Sequence, residues 1–192
     1  MWQRLTAMDV RTALPPLALA WCGLNFGYYG MATWITVLLS DAGVADPYFV
    51  ALLYACANLP GNLASILLVD RLGRRPLLGL SMGLAAAAAL SAASQIDSPR
   101  TALVITAAVA FNAFATAGWN ALDALSAESF STDVRATTFG LLAAFGRVSS
   151  ILAQVVNGSL ASSPALLLTV TSIFMGIGCT SVCCMPVKDP TH

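Results

Sequence analysis

Between Pro47 and Val69 the chain has no Asp, Glu, Lys, Arg or His, and the same is true from Pro76 to Ile96. A hydrocarbon core about 30 Å thick is crossed by about 20 apolar residues of helix. Each run is therefore long enough to span a bilayer. Backbone polar groups find no water there, which leaves helices or closed barrels as spanning structures. The runs exceed the roughly nine to eleven residues of a barrel strand and lack its strict alternation, so helices are expected.

Similar runs elsewhere predict an all-α membrane protein with six transmembrane helices, over about 15–39, 47–69, 76–96, 101–125, 134–160 and 164–186. Residues 1–14 and 187–192 remain as terminal segments. Pro15, Pro47, Pro76 and Pro164 fall near the first turn of their segments, where a missing N–H costs nothing. The apolar run from Leu14 to Leu39 is too long for a signal-peptide core of roughly 7 to 15 residues and reads as a retained first span. Charged residues make up 9% of the chain, against roughly 25% in a soluble domain, so this composition could not cover a water-soluble globule. Net charge is zero, which offers no nucleic-acid face and no acidic tail.

Cytoplasmic loops collect Lys and Arg. With the amino terminus inside, Arg4, Arg11, Arg71, Arg74, Arg75, Arg135 and Lys188 all lie at the inner side and only Arg100 at the outer. The expectation is a multi-pass protein of the plasma or an organelle membrane, with both termini cytoplasmic. Two inner clusters result. VDRLGRRP, Val69 to Pro76, carries Asp70, Arg71, Arg74 and Arg75 around Gly73, which permits a tight reversal. AESFSTDVRATTFG carries Glu128 and Arg135, with Ser131 or Thr132 placed to cap the following helix. A topology anchor explains the arginines but gives Asp70 no reason to be there; charges from the two loops can pair, or the second loop is a solvated turn whose charges act independently.

Arg147 falls inside the fifth span, where an arginine costs about 2.5 to 3.5 kcal/mol, so it should face protein or a watery cavity; snorkelling toward the inner surface is the alternative. Asn25, Tyr28, Tyr29, Trp34, Asn58, Asn62, Gln154 and Asn157 are polar or amphipathic positions within spans. They line a path or bond neighbouring helices. Gly23 with Gly27 and Gly79 with Gly83 make two GxxxG pairs suited to close helix approach. Asn157-Gly158-Ser159 matches a glycosylation sequon at the edge of a span. The five cysteines have no His or carboxylate beside them, so no metal site is expected. No phosphate-binding glycine loop, paired catalytic carboxylates or Ser-His-Asp set occurs, and His192 is the single histidine; no catalytic centre is expected.

VDRLGRRP resembles the D-R-x-G-R signature between adjacent helices of major facilitator superfamily transporters. Glu128 to Arg135 is similar to the E-x6-R element of sugar-porter-like members. YYGMATWITVLL and NLPGNLASILLVDRLGRR resemble the synaptic-vesicle-two-related and organic-cation-transporter-like branch, whose pattern reads E-x-P-G before the signature. Asn58 stands where that pattern has Glu, and Ser131 where the related loop has Pro. The acid that would serve proton coupling or cation recognition at position 58 is thus missing.

The resemblance covers about Leu17 to Met185 and corresponds to the carboxy-terminal half of a twelve-span transporter. It implies two inverted three-helix repeats that rock against another half around a midplane site. It also implies a cytoplasmic gate network of Asp70, Arg71, Gly73, Arg74, Arg75, Glu128 and Arg135. Tyr28, Trp34, Asn112, Trp119, Asn120 and Asp123, then Asn58, Arg147 and Gln154, become the substrate-pathway candidates. The implied partners are a small organic solute, the bilayer, and an amino-terminal half or a second copy. Coupling to protons or sodium, as in a symporter, is left open, and no cofactor is implied. A six-helix protein that does not transport, or a subunit needing a partner half, is the alternative.

Overall fold

A computed structural model describes residues 8–41, 46–96 and 101–185. These form seven helices: α1 (Met8–Asp41), α2 (Pro47–Cys56), α3 (Asn58–Leu72), α4 (Arg74–Gln95), α5 (Thr101–Glu128), α6 (Thr132–Ser159) and α7 (Pro164–Cys183). Five stretches among the described residues are long and apolar enough to cross a membrane: Tyr48–Leu72, Arg74–Gln95, Ala102–Glu128, Thr132–Ser159 and Pro164–Cys183. The expected first span lies within the 34-residue α1. Arg4, Arg100, Lys188 and His192 lie outside the described residues.

Two expectations about helix ends change. Helix α1 already includes Met8 rather than starting near Pro15, so Pro15 and Pro16, which carry no backbone N–H, sit inside it. The second span is two helices that meet at Ala57, because Pro60 has no N–H to return to Cys56. Elsewhere the ends follow local chemistry. Asp46 caps α2 by accepting from Phe49 N at 3.0 Å, with Pro47 in the first turn. Ser131 holds the cap position of α6 in extended conformation, but its side chain makes no capping bond. Gly73 is the whole joint between α3 and α4, at φ 82° and ψ 160°, a region open essentially to glycine.

Helices α1 and α5 lie in the middle, α4 and α7 pack together behind them, and α3 and α6 flank the front. Ser149 and Gln154 of α6 donate to the Cys22 and Tyr29 carbonyls of α1, so those helices run parallel. Helices α3 and α5 are also parallel, joined by Asn58 to Asn112 and by Asn62 to Asn120. Helix α7 runs antiparallel to α1, through Ser181 to the Pro16 carbonyl and Phe26 stacked on Phe174, and antiparallel to α4, through Ser172 to the Ala86 carbonyl. Matching α1 with α5, α2–α3 with α6 and α4 with α7 maps each packed pair onto another of the same polarity. That is the contact pattern of two inverted three-helix repeats.

Both GxxxG pairs face α7. A Cβ on Gly23 would stand 2.6 Å from the Phe174 carbonyl oxygen, so that crossing needs glycine. Asn157 is fully buried with its amide against Gly30, a position that cannot accept a glycan.

Candidate functional site

The front of the unit carries two polar layers and an aromatic cluster. Asn112, Thr116 and Asn120 recur every fourth residue of α5 and so share one face. They meet Asn58, Asn62 and Ser65 on the parallel α3. Asn58 Oδ1 accepts from Thr116 Oγ1 at 2.6 Å and from Asn112 Nδ2 at 3.2 Å. Asn112 Nδ2 also donates to the Tyr54 carbonyl, in the turn before the Ala57 break. Asn120 Nδ2 donates to Asn62 Oδ1 and Ser65 Oγ, both at 2.7 Å. Candidates Asn58, Asn112 and Asn120 therefore spend amide groups on holding the broken span to α5. Below them a cleft of about 400 Å³ is lined by Asn62, Ser65, Asn120 and Arg74.

Tyr28 and Tyr29 of α1 meet Trp119 of α5 edge to face, with ring centroids 6.0 and 6.1 Å apart. Trp21 adds a third edge contact to Trp119 at 5.7 Å, packs on Phe139 and donates through Nε1 to Ser126 Oγ at 2.9 Å. The Arg147 guanidinium sits 5.4 Å from the Tyr29 ring centroid, within cation–π range. This intramembrane arginine thus points across to α1. Asp123 is exposed one turn beyond Trp119 on the same side of α5. Farther along α1, Trp34 Nε1 donates to Gln154 Oε1 at 3.2 Å, while Gln154 Nε2 donates to the Tyr29 carbonyl. Tyr28, Trp119 and Arg147 come together through Tyr29, and Trp34 and Gln154 form a separate pair.

The expected seven-residue inner network is only partly assembled. Arg74 Nε lies 3.0 Å from both carboxylate oxygens of Glu128, joining the start of α4 to the end of α5. Arg135 does not reach Glu128; its Nε donates to the Phe130 carbonyl at 3.3 Å, within its own loop. Arg75 turns to the back, where Nε and Nη2 donate to the Val182 and Cys183 carbonyls at the end of α7, at 3.0 and 2.7 Å. Asp70 and Arg71 are exposed, and no side chain among the described residues bonds to either. The physical reason is direction: successive residues of a helix point roughly 100° apart, so Arg74 reaches α5 while Arg75 reaches α7.

Sequence reasoning passed over Thr116 and Ser65, which look like ordinary small residues. Their signal was the four-residue spacing from named asparagines. Tyr29 is one of several polar positions within spans, and only the folded arrangement shows that it bridges Trp119 and Arg147.

Helices in the contact pattern of inverted repeats, five of them long and apolar enough to cross a membrane among the described residues, with polar and aromatic side chains gathered on one face, define half of a solute-transporter fold. The chain belongs to the family described as "Sugar (and other) transporter", whose model matches residues 1–188. It is 30% identical over 180 residues to a Bacillus subtilis (strain 168) protein named NiaP, covering 91% of this chain and 44% of that one. Human synaptic vesicle glycoprotein 2C is 36% identical over 71% of this chain and 19% of its own length. The niacin transporter NiaP of Acinetobacter baylyi (strain ATCC 33305 / BD413 / ADP1) is 33% identical over 73% of this chain and 32% of its own length. The chain spans less than half the length of each of these relatives. It is an integral, multi-pass membrane protein of the major facilitator type.

Proposed function

We propose that this unit supplies one half of the pathway of a secondary transporter that moves a small organic solute by alternating access and releases it chemically unchanged. The observation that carries the reading is the meeting of Tyr28, Tyr29 and Trp119 with the Arg147 cation on the front face. Aromatic edges receive a flat ring, and a membrane arginine attracts an anionic group. A small aromatic acid suits both, and niacin, named for one relative, is a pyridine carboxylate. The front face would close against an amino-terminal half or a second copy. Arg74, Arg75 and Arg135 mark the cytoplasmic side, with the Arg74–Glu128 pair as an inner tie between the repeats. Asn58 offers no acid for proton coupling, which leaves Asp123 as the exposed carboxylate of the pathway.

Proteoliposomes containing the protein should accumulate labelled niacin above empty vesicles, and Arg147→Gln should lower uptake at least tenfold with unchanged protein abundance. No uptake of aromatic acids, organic cations or sugars, with or without a pH gradient, would instead favour a six-helix protein that does not transport. Equal uptake by the wild type and Arg147→Gln would remove the arginine from the pathway.

A further inference from the structure

A second large groove lies away from the front face. It lies between α4 and α7 at the back, about 940 Å³ in volume, at the upper end of the roughly 300 to 1,000 Å³ of organic-ligand sites. Gly79, Leu80, Gly83 and Leu84 of α4 and Cys179 and Val182 of α7 line it. Leu80 and Leu84 are half exposed, so the cavity opens sideways into the region where lipid tails pack. Gly79 leaves room beside it, since a Cβ there would meet nothing nearer than Val182 Cγ1 at 3.9 Å, whereas one on Gly83 would touch Cys179 Sγ at 3.4 Å.

Arg75 stands at one end. Its bonds go to the neutral carbonyls of Val182 and Cys183, and among the described residues it has no carboxylate partner, so its charge is not cancelled. From Arg75 to Leu84 the helix rises roughly 14 Å. That is close to half of a hydrocarbon core about 30 Å thick, the depth of one leaflet. An apolar trough one leaflet deep, open to the side and topped by a positive charge, has the shape and charge of a single lipid molecule.

We propose that the α4–α7 groove is a binding site for an anionic phospholipid, with its phosphate on Arg75 and an acyl chain lying along Gly79 and Gly83. Bound there, the lipid would join the first repeat to the second beside the carbonyl clamp, on the face away from the solute pathway. The site is independent of which solute is carried.

The test is native mass spectrometry of the whole protein released from detergent containing equal amounts of phosphatidylglycerol and phosphatidylcholine. The expected result is retention of phosphatidylglycerol over phosphatidylcholine by about fivefold, the ratio equivalent to about 1 kcal/mol for one basic residue at a membrane surface. Arg75→Gln should abolish the preference and Arg75→Lys should keep it. Gly79→Leu, which leaves the arginine in place, should reduce retention of both lipids by filling the trough. A photoactivatable phosphatidylglycerol should label residues 79–84 or 179–183. Equal retention of the two lipids by the wild type, unchanged preference in Arg75→Gln, labelling elsewhere, or displacement by inorganic phosphate alone would each overturn the proposal.

Discussion

Neutralising Glu128 should weaken the tie between the repeats by a small and salt-sensitive amount. Arg74 and Glu128 approach to 3.0 Å, and their side chains are 40% and 54% exposed. Coulomb's law at that separation in a water-like dielectric gives about 1.4 kcal/mol, and ordering two long side chains lowers what exposed pairs deliver to roughly 0.2 to 1 kcal/mol. The upper end corresponds to a shift of about fivefold in any equilibrium the pair biases. Thermal and denaturant unfolding of the solubilised wild type, Arg74→Gln, Glu128→Gln and the double variant complete the cycle. We expect a coupling energy near 0.5 kcal/mol at low salt that fades at high salt, since screening length falls from about 10 Å at 0.1 M to about 3 Å at 1 M. The reversed pair, Arg74→Glu with Glu128→Arg, should recover most of it. A coupling above about 2 kcal/mol that ignores salt would refute an exposed pair. Zero coupling at low salt would refute the tie itself.

Replacing Gly23 by Ala places a methyl against the Phe174 backbone and should cost about 1 to 3 kcal/mol, read as a lowered unfolding midpoint; no change would mean that α1 and α7 separate freely. Gly73→Ala puts a Cβ on a backbone at φ 82° and should cost about 1 to 3 kcal/mol by the same measurement, with normal stability contradicting the described joint. Thr116→Val keeps the shape but removes a donor to Asn58, and should cost about 0.6 kcal/mol, the average for a hydrogen bond between membrane helices.

The spans were legible because hydrocarbon excludes charge so strongly that charge-free runs of this length admit few other structures. Helix ends were less so. Pro15 sits in a helix interior because α1 continues beyond the apolar run, and polarity marks where a membrane ends, not where a helix does. The break at Ala57 had a visible cause in Pro60, but its consequence, that Asn112 serves a carbonyl in the preceding turn, depends on which helix lies alongside. The inner cluster illustrates the same limit. Adjacent arginines 74 and 75 look equivalent in sequence, yet one bonds a carboxylate in front and the other a helix end behind, because a helix turns about a quarter of a circle per residue. Arg147 was identified as a residue needing company. Its partner, Tyr29, could be named only once α1 and α6 were known to run parallel.

A connection of one residue has a mechanical meaning. Leu72 ends α3 and Arg74 begins α4, so Gly73 alone separates a front helix from a back one. Long loops absorb displacement; a one-residue joint leaves little slack in length, while its glycine leaves the angle between the arms adjustable. It acts as a hinge pin between two arms. One arm carries the Asn58 bonds that meet α5, and the other carries the Arg75 clamp on α7. A displacement of α3 therefore pulls on the start of α4 through a single residue, and the two arms are held at their far sides by different helices.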